Sequence, residues 1–388
     1  MIQQQVKIAI LGAGNIAAIH IEGYLQFPEL CRVTAVCDLF ADKAQKLADD
    51  YGLSAAVYKT LEEVLEKGDV DAVSICLPPE THCGAAVKAL AAGKHVLCEK
   101  PMASSLEECD LMIAAAQKSG KHLSVVCQNR FKTPMRKVKT LIDREAAGKV
   151  LFATVNSLWW RGQNYYDLWW RGTWEKEGGG CVTSHAVHHI DLLQWMLGMP
   201  QKVTAVIANL AHFNSECEDV GMAILEYGGS IAQITASVLS HGEEQEMIFQ
   251  CERGRMTIPW DPMANKTTAN GFPETDEDAL VSLRKAYAEL EELDLQDHPA
   301  QIRNFLGAIR GEEFLLIDGC EGRKTIELIM AIYKAAVTHM PAELPLRPDD
   351  PFYRKDSIQA LMPHFHEKTK SVDNFVQTKF TLPRDVGK

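Results

Sequence analysis

The chain has 388 residues, of which 46% are hydrophobic, and a formal net charge of −12. This length is sufficient for two domains with sizeable cores. The acidic balance, without a local cluster of Lys or Arg, disfavours nucleic acid as a partner. The longest apolar runs are strand-length and interrupted by charges, and the first residues lack the layout of a signal peptide. We therefore predict neither a membrane span nor a secretory leader.

Residues 1–127 alternate between strand and helix signals. Strands are predicted at 6–11, 33–37, 70–77, 95–98 and 123–127, and helices at 16–24, 41–51, 82–92 and 106–119. Continuous apolar strands separated by helices are typical of a parallel sheet covered on both faces. Residues 1–127 are therefore predicted to form an α/β domain with a doubly wound parallel sheet.

The pattern changes at residue 128. A helix is predicted at 134–147, strands at 150–158, 202–208, 220–227, 230–237 and 245–251, and two further helices at 300–310 and 321–339. The Gly228-Gly229 turn between two strands indicates an antiparallel hairpin. Residues 128–345 are predicted to form a second domain, and residues 346–388 an extension packed on that domain or on a neighbouring subunit.

The eleven cysteines are scattered and contain no Cys-x-x-Cys pair. Cys37, Cys76, Cys98 and Cys127 lie within or beside apolar runs. This distribution favours buried, reduced thiols over disulfides or a zinc site. It predicts a cytoplasmic protein.

A glycine motif, Gly12-Ala13-Gly14-Asn15-Ile16-Ala17, directly follows the first strand. Gly12 would make the tight turn, Gly14 would let a pyrophosphate approach the backbone, and Ala17 would allow close helix–strand packing. The helix that opens at Asn15 and Ile16 would direct its free N–H groups at the phosphates. The motif predicts a dinucleotide site.

Asp38 ends the second strand at the distance where an acid contacts the adenosine ribose. Its carboxylate would repel a 2′-phosphate, so NAD is predicted over NADP, although a plain loop acid remains an alternative. Later in the chain, Leu77 and Pro78 form a stiff turn expected to lie over the cofactor. His82 is a further cofactor candidate or an ordinary first-turn residue of the next helix.

A lysine follows a later strand, in the run Glu99-Lys100-Pro101. The carboxyl ends of parallel strands are where such folds hold their ligands. Glu99 and Lys100 are therefore predicted beside the cofactor, with Lys100 as an ionisable group near its reactive ring. The alternative, a surface lysine, is disfavoured by its place between a strand end and a proline.

Together these motifs resemble the Gfo/Idh/MocA oxidoreductases, which include glucose–fructose oxidoreductase and inositol 2-dehydrogenase. The resemblance rests on Gly12 to Ala17, Leu77 to His82, Ala92 to Pro101, and Gly178-Gly179-Gly180 followed by His188 and Asp191. It implies an N-terminal Rossmann domain and a C-terminal α/β domain with a large open, mostly antiparallel sheet. That sheet often builds the oligomer in the family, so a homo-oligomer, a dimer or tetramer, is expected.

The resemblance also implies that Lys100 and His188 flank the substrate carbinol as the catalytic pair. Many relatives carry Asp four residues before the catalytic histidine, where this chain has Ser184. A serine can orient a hydroxyl but cannot act as a carboxylate base, so proton abstraction depends more on His188. His185 is expected to face the substrate as well.

The clustered histidines also admit a metal reading. His185 and His189 have i,i+4 spacing, and Cys181 is close by. No Glu lies between them as in a zinc protease helix, and the cofactor reading already explains His188. We therefore predict no metal.

Residues 159–174 contain five of the seven tryptophans together with Arg, Gln and Asn. Aromatic faces interleaved with hydrogen-bond donors fit a carbohydrate rather than a uniform core element. The predicted substrate residues here are Tyr165, Tyr166 and Trp174, while Trp170 and Arg171 are predicted at the nicotinamide end. Gln128 and Arg130, which end the last strand of the first domain, are candidates for cofactor and substrate contact respectively.

These observations predict an NAD-dependent dehydrogenase that oxidises a secondary hydroxyl of a pyranose, glycoside or cyclitol, with C3 as the candidate carbon. One alternative is glycoside cleavage by oxidation, elimination and reduction with retained NAD. Another is a non-enzymatic sensor of NAD or sugar, against which the Lys100 and His188 pair argues.

Overall fold

The computed structural model describes residues 5–373 and residue 375. The chain forms two compact units. The first comprises Met1–Gln128, Leu295–Ile326 and Tyr353–Lys355, and the second comprises Asn129–Asp294, Glu327–Phe352 and Asp356–Lys388. Residues 295–326 therefore join the first unit, whereas the sequence analysis placed them in the second domain.

The first unit contains a six-stranded parallel sheet in the order β3-β2-β1-β4-β5-β6. Its strands are β1 (Val6–Leu11), β2 (Cys31–Cys37), β3 (Ala56–Tyr58), β4 (Ala72–Ile75), β5 (His95–Cys98) and β6 (Leu123–Val125). The helices between them are α1 (Asn15–Leu25), α2 (Ala41–Asp50), α3 (Leu61–Lys67), α4 (His82–Ala91) and α5 (Leu106–Ser119). This confirms the predicted doubly wound sheet, to which the structure adds β3 and α3.

The later segment joins this unit by close helix packing. Helix α10 (Asp297–Ile309) packs on α1 at Gly23, where a Cβ atom would overlap the side chain of Ile302. Phe305 and Leu306 of α10 complete a core shared with β1 and α1. Sequence distance hid this arrangement because the apolar face of α10 resembles that of any amphipathic helix.

The second unit is built on a seven-stranded mixed sheet in the order β12-β11-β7-β10-β9-β8-β15. Its strands are β7 (Val150–Leu158), β8 (Lys202–Ala208), β9 (Val220–Glu226), β10 (Ile231–Ser237), β11 (Gln245–Cys251), β12 (Arg255–Ile258) and β15 (Ala342–Glu343). Only β7 and β10 pair in parallel, and β9 and β10 form the predicted hairpin. The mostly antiparallel sheet is thus confirmed. A small separate hairpin consists of β13 (Asn265–Thr267) and β14 (Pro273–Thr275).

The remaining helices are α6 (Thr133–Asp143), α7 (Cys181–Ser184), α8 (Val187–Leu197), α9 (Glu277–Ala288), α11 (Gly319–Thr338) and α12 (Lys355–Leu361). Helices α7, α8, α9 and α12 and strands β12 to β15 were not predicted from the sequence; most of them are short or largely exposed.

Within the described part of the chain, no helix is both long enough and apolar enough to cross a bilayer. No disulfide is present among the residues that the structure describes, and nine of the eleven cysteines are buried.

The described part of the C-terminal extension lies against residues 159–174, which we call the aromatic segment. The Trp174 indole donates to the Pro363 carbonyl (2.9 Å), and the Trp169 N–H donates to the Val372 carbonyl (3.0 Å). Asn214 joins the same two stretches by accepting from the N–H groups of Thr369 and Lys370. We call residues 363–372 the C-terminal strap. Residues 374 and 376–388 of the predicted extension lie outside the described residues.

Candidate active site

The glycine motif of the first unit forms a tight turn between β1 and α1. Gly12 has φ +93°, and a Cβ atom there would lie 2.5 Å from the Cys76 carbonyl oxygen, so only glycine fits. At Gly14 the same construction meets no atom within 4 Å, which leaves the backbone open to a ligand. Helix α1 begins at Asn15 without a side-chain cap, so its first N–H groups, including that of Ile16, point towards this opening.

Asp38 closes the other side of this turn. Its carboxylate accepts the N–H of Ala13 (2.8 Å) and that of Phe40 (2.9 Å). The side chain is only partly buried, and each carboxylate oxygen has a second lone pair. Asp38 therefore braces the glycine turn and retains acceptor capacity for a ribose hydroxyl.

His82 is an internal residue and is not part of the glycine turn. The ring is fully buried, with Nδ1 2.9 Å from the Pro101 carbonyl oxygen and Nε2 2.8 Å from that of Leu77. Burial lowers the pKa of His82, although the two carbonyl contacts oppose the change. Both nitrogens are engaged, so His82 joins the loop at Leu77 and Pro78 to the loop at Lys100 and has no free atom for a cofactor.

Glu99 has a similar internal role. One oxygen lies 2.9 Å from His20 Nε2, and the other accepts the Lys100 N–H at 3.1 Å. Burial alone would raise the pKa of Glu99, but the His20 hydrogen bond and the charges of His20, His298 and Lys100 lower it. Burial likewise opposes protonation of His20, yet contacts with Cys76 and Glu99 raise its pKa. The pair is therefore ionised, and it anchors the backbone of the half-buried Lys100.

Gln128 follows β6 at the same end of the sheet. Its Oε1 atom is buried and accepts no hydrogen bond from any described residue. A buried acceptor without a donor is costly, and an external donor such as a carboxamide would satisfy it. With the Gly12 turn, the open Gly14 backbone and Asp38, this orphaned acceptor shows that the residues of the first unit fit a dinucleotide.

In the second unit, α7 and the start of α8 carry the candidate catalytic side chains. Ser184 Oγ donates to the Gly180 carbonyl (2.8 Å) and lies 2.8 Å from His185 Nδ1. Because the single hydroxyl proton is used on Gly180, His185 must donate from Nδ1. Its Nε2 atom is then an acceptor, 3.5 Å from the Tyr165 hydroxyl. His188, in the first turn of α8, is half-buried.

Arg130 is placed differently from its prediction as a substrate contact. Its guanidinium forms a two-pronged ion pair with Asp191, at 2.9 and 2.8 Å, and the side chain is 1% exposed. The Trp195 ring lies 5.6 Å from the guanidinium carbon. Arg130 therefore cannot reach a substrate unless this pair opens, and instead it holds α8, the helix of His188.

Arg171 of the aromatic segment lies close to two aromatic rings. The Arg171 guanidinium lies 4.1 Å from the ring centres of both Tyr165 and Trp170. Its Nη1 atom donates to buried Glu177 at 2.8 Å, and Glu177 also accepts the Gly172 N–H at 2.7 Å. Burial raises the pKa of Glu177, against the opposing charge of Arg171.

Two other predicted substrate residues are internal. Tyr166 is 1% exposed and packs edge-on against His212, and Trp174 is 3% exposed and packs against Tyr333. Tyr166 and Trp174 therefore anchor the aromatic segment in the core of the unit. Tyr165 is the partly exposed tyrosine of the segment.

Sequence reasoning missed the side chains that hold these elements, which are His20, Glu177, Glu218, Asp219 and His212. The partners of His20 and Glu218 lie far away in the sequence, 79 residues for His20 and Glu99 and 115 for Glu218 and Tyr333. The one available signal was the acidic pair Glu218-Asp219 directly before a strand.

Comparisons with known proteins agree with this geometry. Residues 6–127 match a family described as an oxidoreductase family with an NAD-binding Rossmann fold, and residues 135–257 match the GFO/IDH/MocA C-terminal domain. The D-glucoside 3-dehydrogenase of Escherichia coli is 26% identical over 365 residues, 89% of this chain and 99% of that protein. Inositol 2-dehydrogenase of Salmonella typhimurium is 26% identical over 72% of this chain and 77% of its own.

A solved structure is similar as well. The WlbA dehydrogenase of Bordetella pertussis, in complex with NADH and UDP-GlcNAcA, is 29% identical with a TM-score of 0.76, covering 89% of this chain and 100% of its own. The two family models together span most of both units and bear out the resemblance seen in the motifs. The chain belongs to the Gfo/Idh/MocA family of oxidoreductases.

Proposed function

We propose that this chain is an NAD-dependent dehydrogenase that oxidises a secondary hydroxyl of a pyranose, glycoside or cyclitol. The observation that carries the proposal is the hydrogen-bonded row Ser184–His185–Tyr165 beside an aromatic segment, in a chain whose other unit has a complete dinucleotide turn followed by Lys100. Relatives that oxidise a glucoside or an inositol support the substrate class. The name of the glucoside 3-dehydrogenase favours C3 as the carbon.

Oxidation of a secondary alcohol removes a hydride from carbon and a proton from oxygen. Bound NAD supplies the hydride acceptor. We assign proton removal to the His188 imidazole, which is suited to accept a proton near neutral pH. The Lys100 ammonium group stabilises the alkoxide that forms as the proton leaves.

The cofactor contacts follow from the first unit. Gly12, Gly14, Asn15 and Ile16 bind the pyrophosphate through backbone groups, and Asp38 accepts from the ribose. Leu77, Pro78 and Gln128 lie on the loops that follow β4 and β6, where the nicotinamide end is expected. Glu99 and His82 contribute indirectly, by holding the backbone of the loops at Leu77 and Lys100. Trp170 and Arg171 remain proposed contacts of the same end.

Substrate contacts are assigned to the second unit. The acceptor Nε2 of His185 and the Tyr165 hydroxyl suit sugar hydroxyls, which both donate and accept. Ser184 keeps His185 in this tautomer, so it replaces a carboxylate by positioning and not by accepting the proton.

The proposal is tested by mixing purified protein with NAD and a panel of glycosides, uronates and cyclitols, and following the absorbance of reduced nicotinamide. Lys100→Met and His188→Asn should each lower kcat by about a hundredfold or more. The matched control is Lys94→Met, which removes a lysine just before β5 whose amine binds the Val70 carbonyl. Full turnover in His188→Asn would contradict the assignment, and sugar release without accumulation of NADH would replace net oxidation with elimination.

We also propose that the chain forms a homodimer or homotetramer through the outer face of the large sheet. Five apolar side chains project from adjacent strands on this face and are 43–62% exposed, namely Phe152, Val206, Met222, Ile224 and Ile231. An apolar surface of this kind is typical of an interface. Sedimentation of Ile224→Lys should show smaller particles than the wild type, whereas Val281→Lys, an exposed position on α9, should not.

A further inference from the structure

The triple-glycine run of the second unit passes directly over a buried carboxylate. Glu218 has no exposed surface and accepts the N–H groups of Gly180 and Val182, both at 3.0 Å, and the Tyr333 hydroxyl at 2.9 Å. A Cβ atom on Gly180 would overlap the Glu218 backbone, and one on Gly179 would overlap Tyr333. Glycine is therefore required here because Glu218 and Tyr333 lie so close.

These contacts fix the start of α7. A short helix cannot satisfy its own first N–H groups, and α7 has no side-chain cap at Gly180. The Glu218 carboxylate, 36 to 38 residues away in the segment before β9, takes that role. The Tyr333 hydroxyl adds a second link because it also lies 2.8 Å from Thr183 Oγ1.

Asp219, which follows Glu218, holds the aromatic segment. Asp219 accepts the N–H groups of Leu210 and Ala211, both at 2.9 Å, and lies 3.0 Å from His212 Nδ1. His212 Nε2 then contacts the Arg161 carbonyl of the aromatic segment at 3.0 Å. The His212 ring also packs against Tyr166.

We propose that Glu218 and Asp219 are positioning residues for the reaction. Glu218 sets the segment that carries Ser184, His185 and His188, and Asp219 sets the aromatic segment. Because the two acids are consecutive and lie directly before β9, one short stretch of backbone aligns both groups. This inference rests on the proposed function, since it assumes that both groups act on one substrate.

The hydrogen-bond donors to Glu218 are uncharged. The titratable side chains that face it are Tyr166, Cys181, Cys217 and Tyr333, and burial raises the pKa of each well above its ordinary range. Burial raises the pKa of Glu218 itself to about 7, and its three donors limit the rise. The three hydrogen bonds therefore favour the carboxylate, whereas burial favours the neutral acid and has the larger effect.

The first test is amide hydrogen exchange of residues 178–185 in full-length wild type, Glu218→Gln and Tyr333→Phe. Glutamine keeps the shape of Glu218 but turns an N–H₂ group towards a backbone N–H, so exchange should rise about tenfold or more in this stretch. Tyr333→Phe should show a smaller rise, and it tests the same link if Glu218→Gln does not fold. Glu327→Gln is the matched control, since it removes another buried carboxylate of the same unit, one that accepts the Leu346 N–H. Equal exchange in both Glu218 and Tyr333 variants and the wild type, or an equal rise in Glu327→Gln, would overturn the proposal.

The second test separates the two acids by kinetics. Glu218→Gln should lower kcat about tenfold or more and raise the KM for sugar by a smaller factor, because its segment carries His188 as well as the substrate contact His185. Asp219→Asn should instead mainly raise the KM for sugar. A uniform loss in both variants would reject separate roles.

The two proposals fail in different ways. If the wild type oxidises no sugar, the proposed function fails, while the exchange experiment still decides whether Glu218 holds α7. If turnover depends on His188 but exchange at 178–185 is the same in all variants, the function stands and the positioning inference falls.

Discussion

Two buried glutamates, one in each unit, have pKa values that are shifted in opposite directions. Glu99 lies against His20, which carries a positive charge, and its pKa is lowered to about 2. Glu218 has only neutral donors, and its pKa is raised to about 7. Burial is similar for both side chains, so the partner decides the sign. The first unit secures its loop with a charge pair, whereas the second secures its segment with a carboxylate that is close to protonation.

The largest expected effect concerns a site in the second unit where, as at Glu99, a buried acid faces a cation. Arg130 and Asp191 form a fully buried ion pair. Arg130→Met removes the cation that Asp191 contacts and should lower the free energy of unfolding by about 3–5 kcal/mol. Denaturant unfolding followed by Trp fluorescence measures the loss.

The control is the double variant Arg130→Met/Asp191→Leu, which removes both charges and should recover much of that loss. If the double variant were no more stable than Arg130→Met, the pair would act through packing and not through charge. The rate of sugar oxidation by the double variant, which depends on His188, then reports whether α8 keeps its position.

The contrast between the glutamates predicts opposite pH dependences of stability. The folded pKa of Glu218 is raised above the ordinary value of 4.5 to about 7, so its contribution is full below pH 4.5 and is lost as pH rises through 7. At about 1.4 kcal/mol per pKa unit, this loss is on the order of 3 kcal/mol. The folded pKa of Glu99 is lowered, so its contribution is full above pH 4.5 and is lost as pH falls towards 2.

Unfolding free energies at several pH values, in wild type, Glu218→Gln and Glu99→Gln, measure both slopes. Between pH 5 and 6.5, below the range in which the raised pKa of His20 contributes a slope, the decline seen in the wild type should flatten in Glu218→Gln and persist in Glu99→Gln. The same slope in all three proteins would show that neither glutamate titrates as its surroundings indicate.

The contrast also explains which parts of the molecule the sequence could predict. The parallel sheet and its glycine turn follow from local patterns, because β1, α1 and the Gly12 turn are contiguous and each requires particular residue types. The Lys100 position follows from the strand before it. Glu218 could not be identified in this way, since its partners at Gly180 and Tyr333 lie 38 and 115 residues away. Arg130 was assigned to the substrate because it follows a strand end, whereas its pairing with Asp191, 61 residues away, left no local pattern.

A smaller effect is expected at Asp38, where one carboxylate serves both the protein and, in our proposal, the ribose. Asp38→Asn keeps one acceptor for Ala13 or Phe40 but loses the second. The affinity for NAD should fall about tenfold, corresponding to the loss of one or two hydrogen bonds. NADP should gain relative to NAD because the repelling charge is gone. Titration of both cofactors by fluorescence measures this ratio, and an unchanged ratio would assign Asp38 to the turn alone.

The smallest effect lies at the C-terminal strap, where an exposed charge and a neutral amide hold the same segment. Lys370 forms an ion pair with Asp167, but its side chain is 66% exposed, so Lys370→Ala should cost under about 1 kcal/mol. Asn214 accepts from Thr369 and Lys370 and donates to the carbonyls of Lys370 and Tyr166. Its replacement by Ala leaves several backbone groups unpaired and should cost about 1–3 kcal/mol. Thermal unfolding of both variants decides the order. A larger loss for Lys370→Ala would mean that charge, and not side-chain bonding to the backbone, secures the strap, and the second unit would then resemble the first.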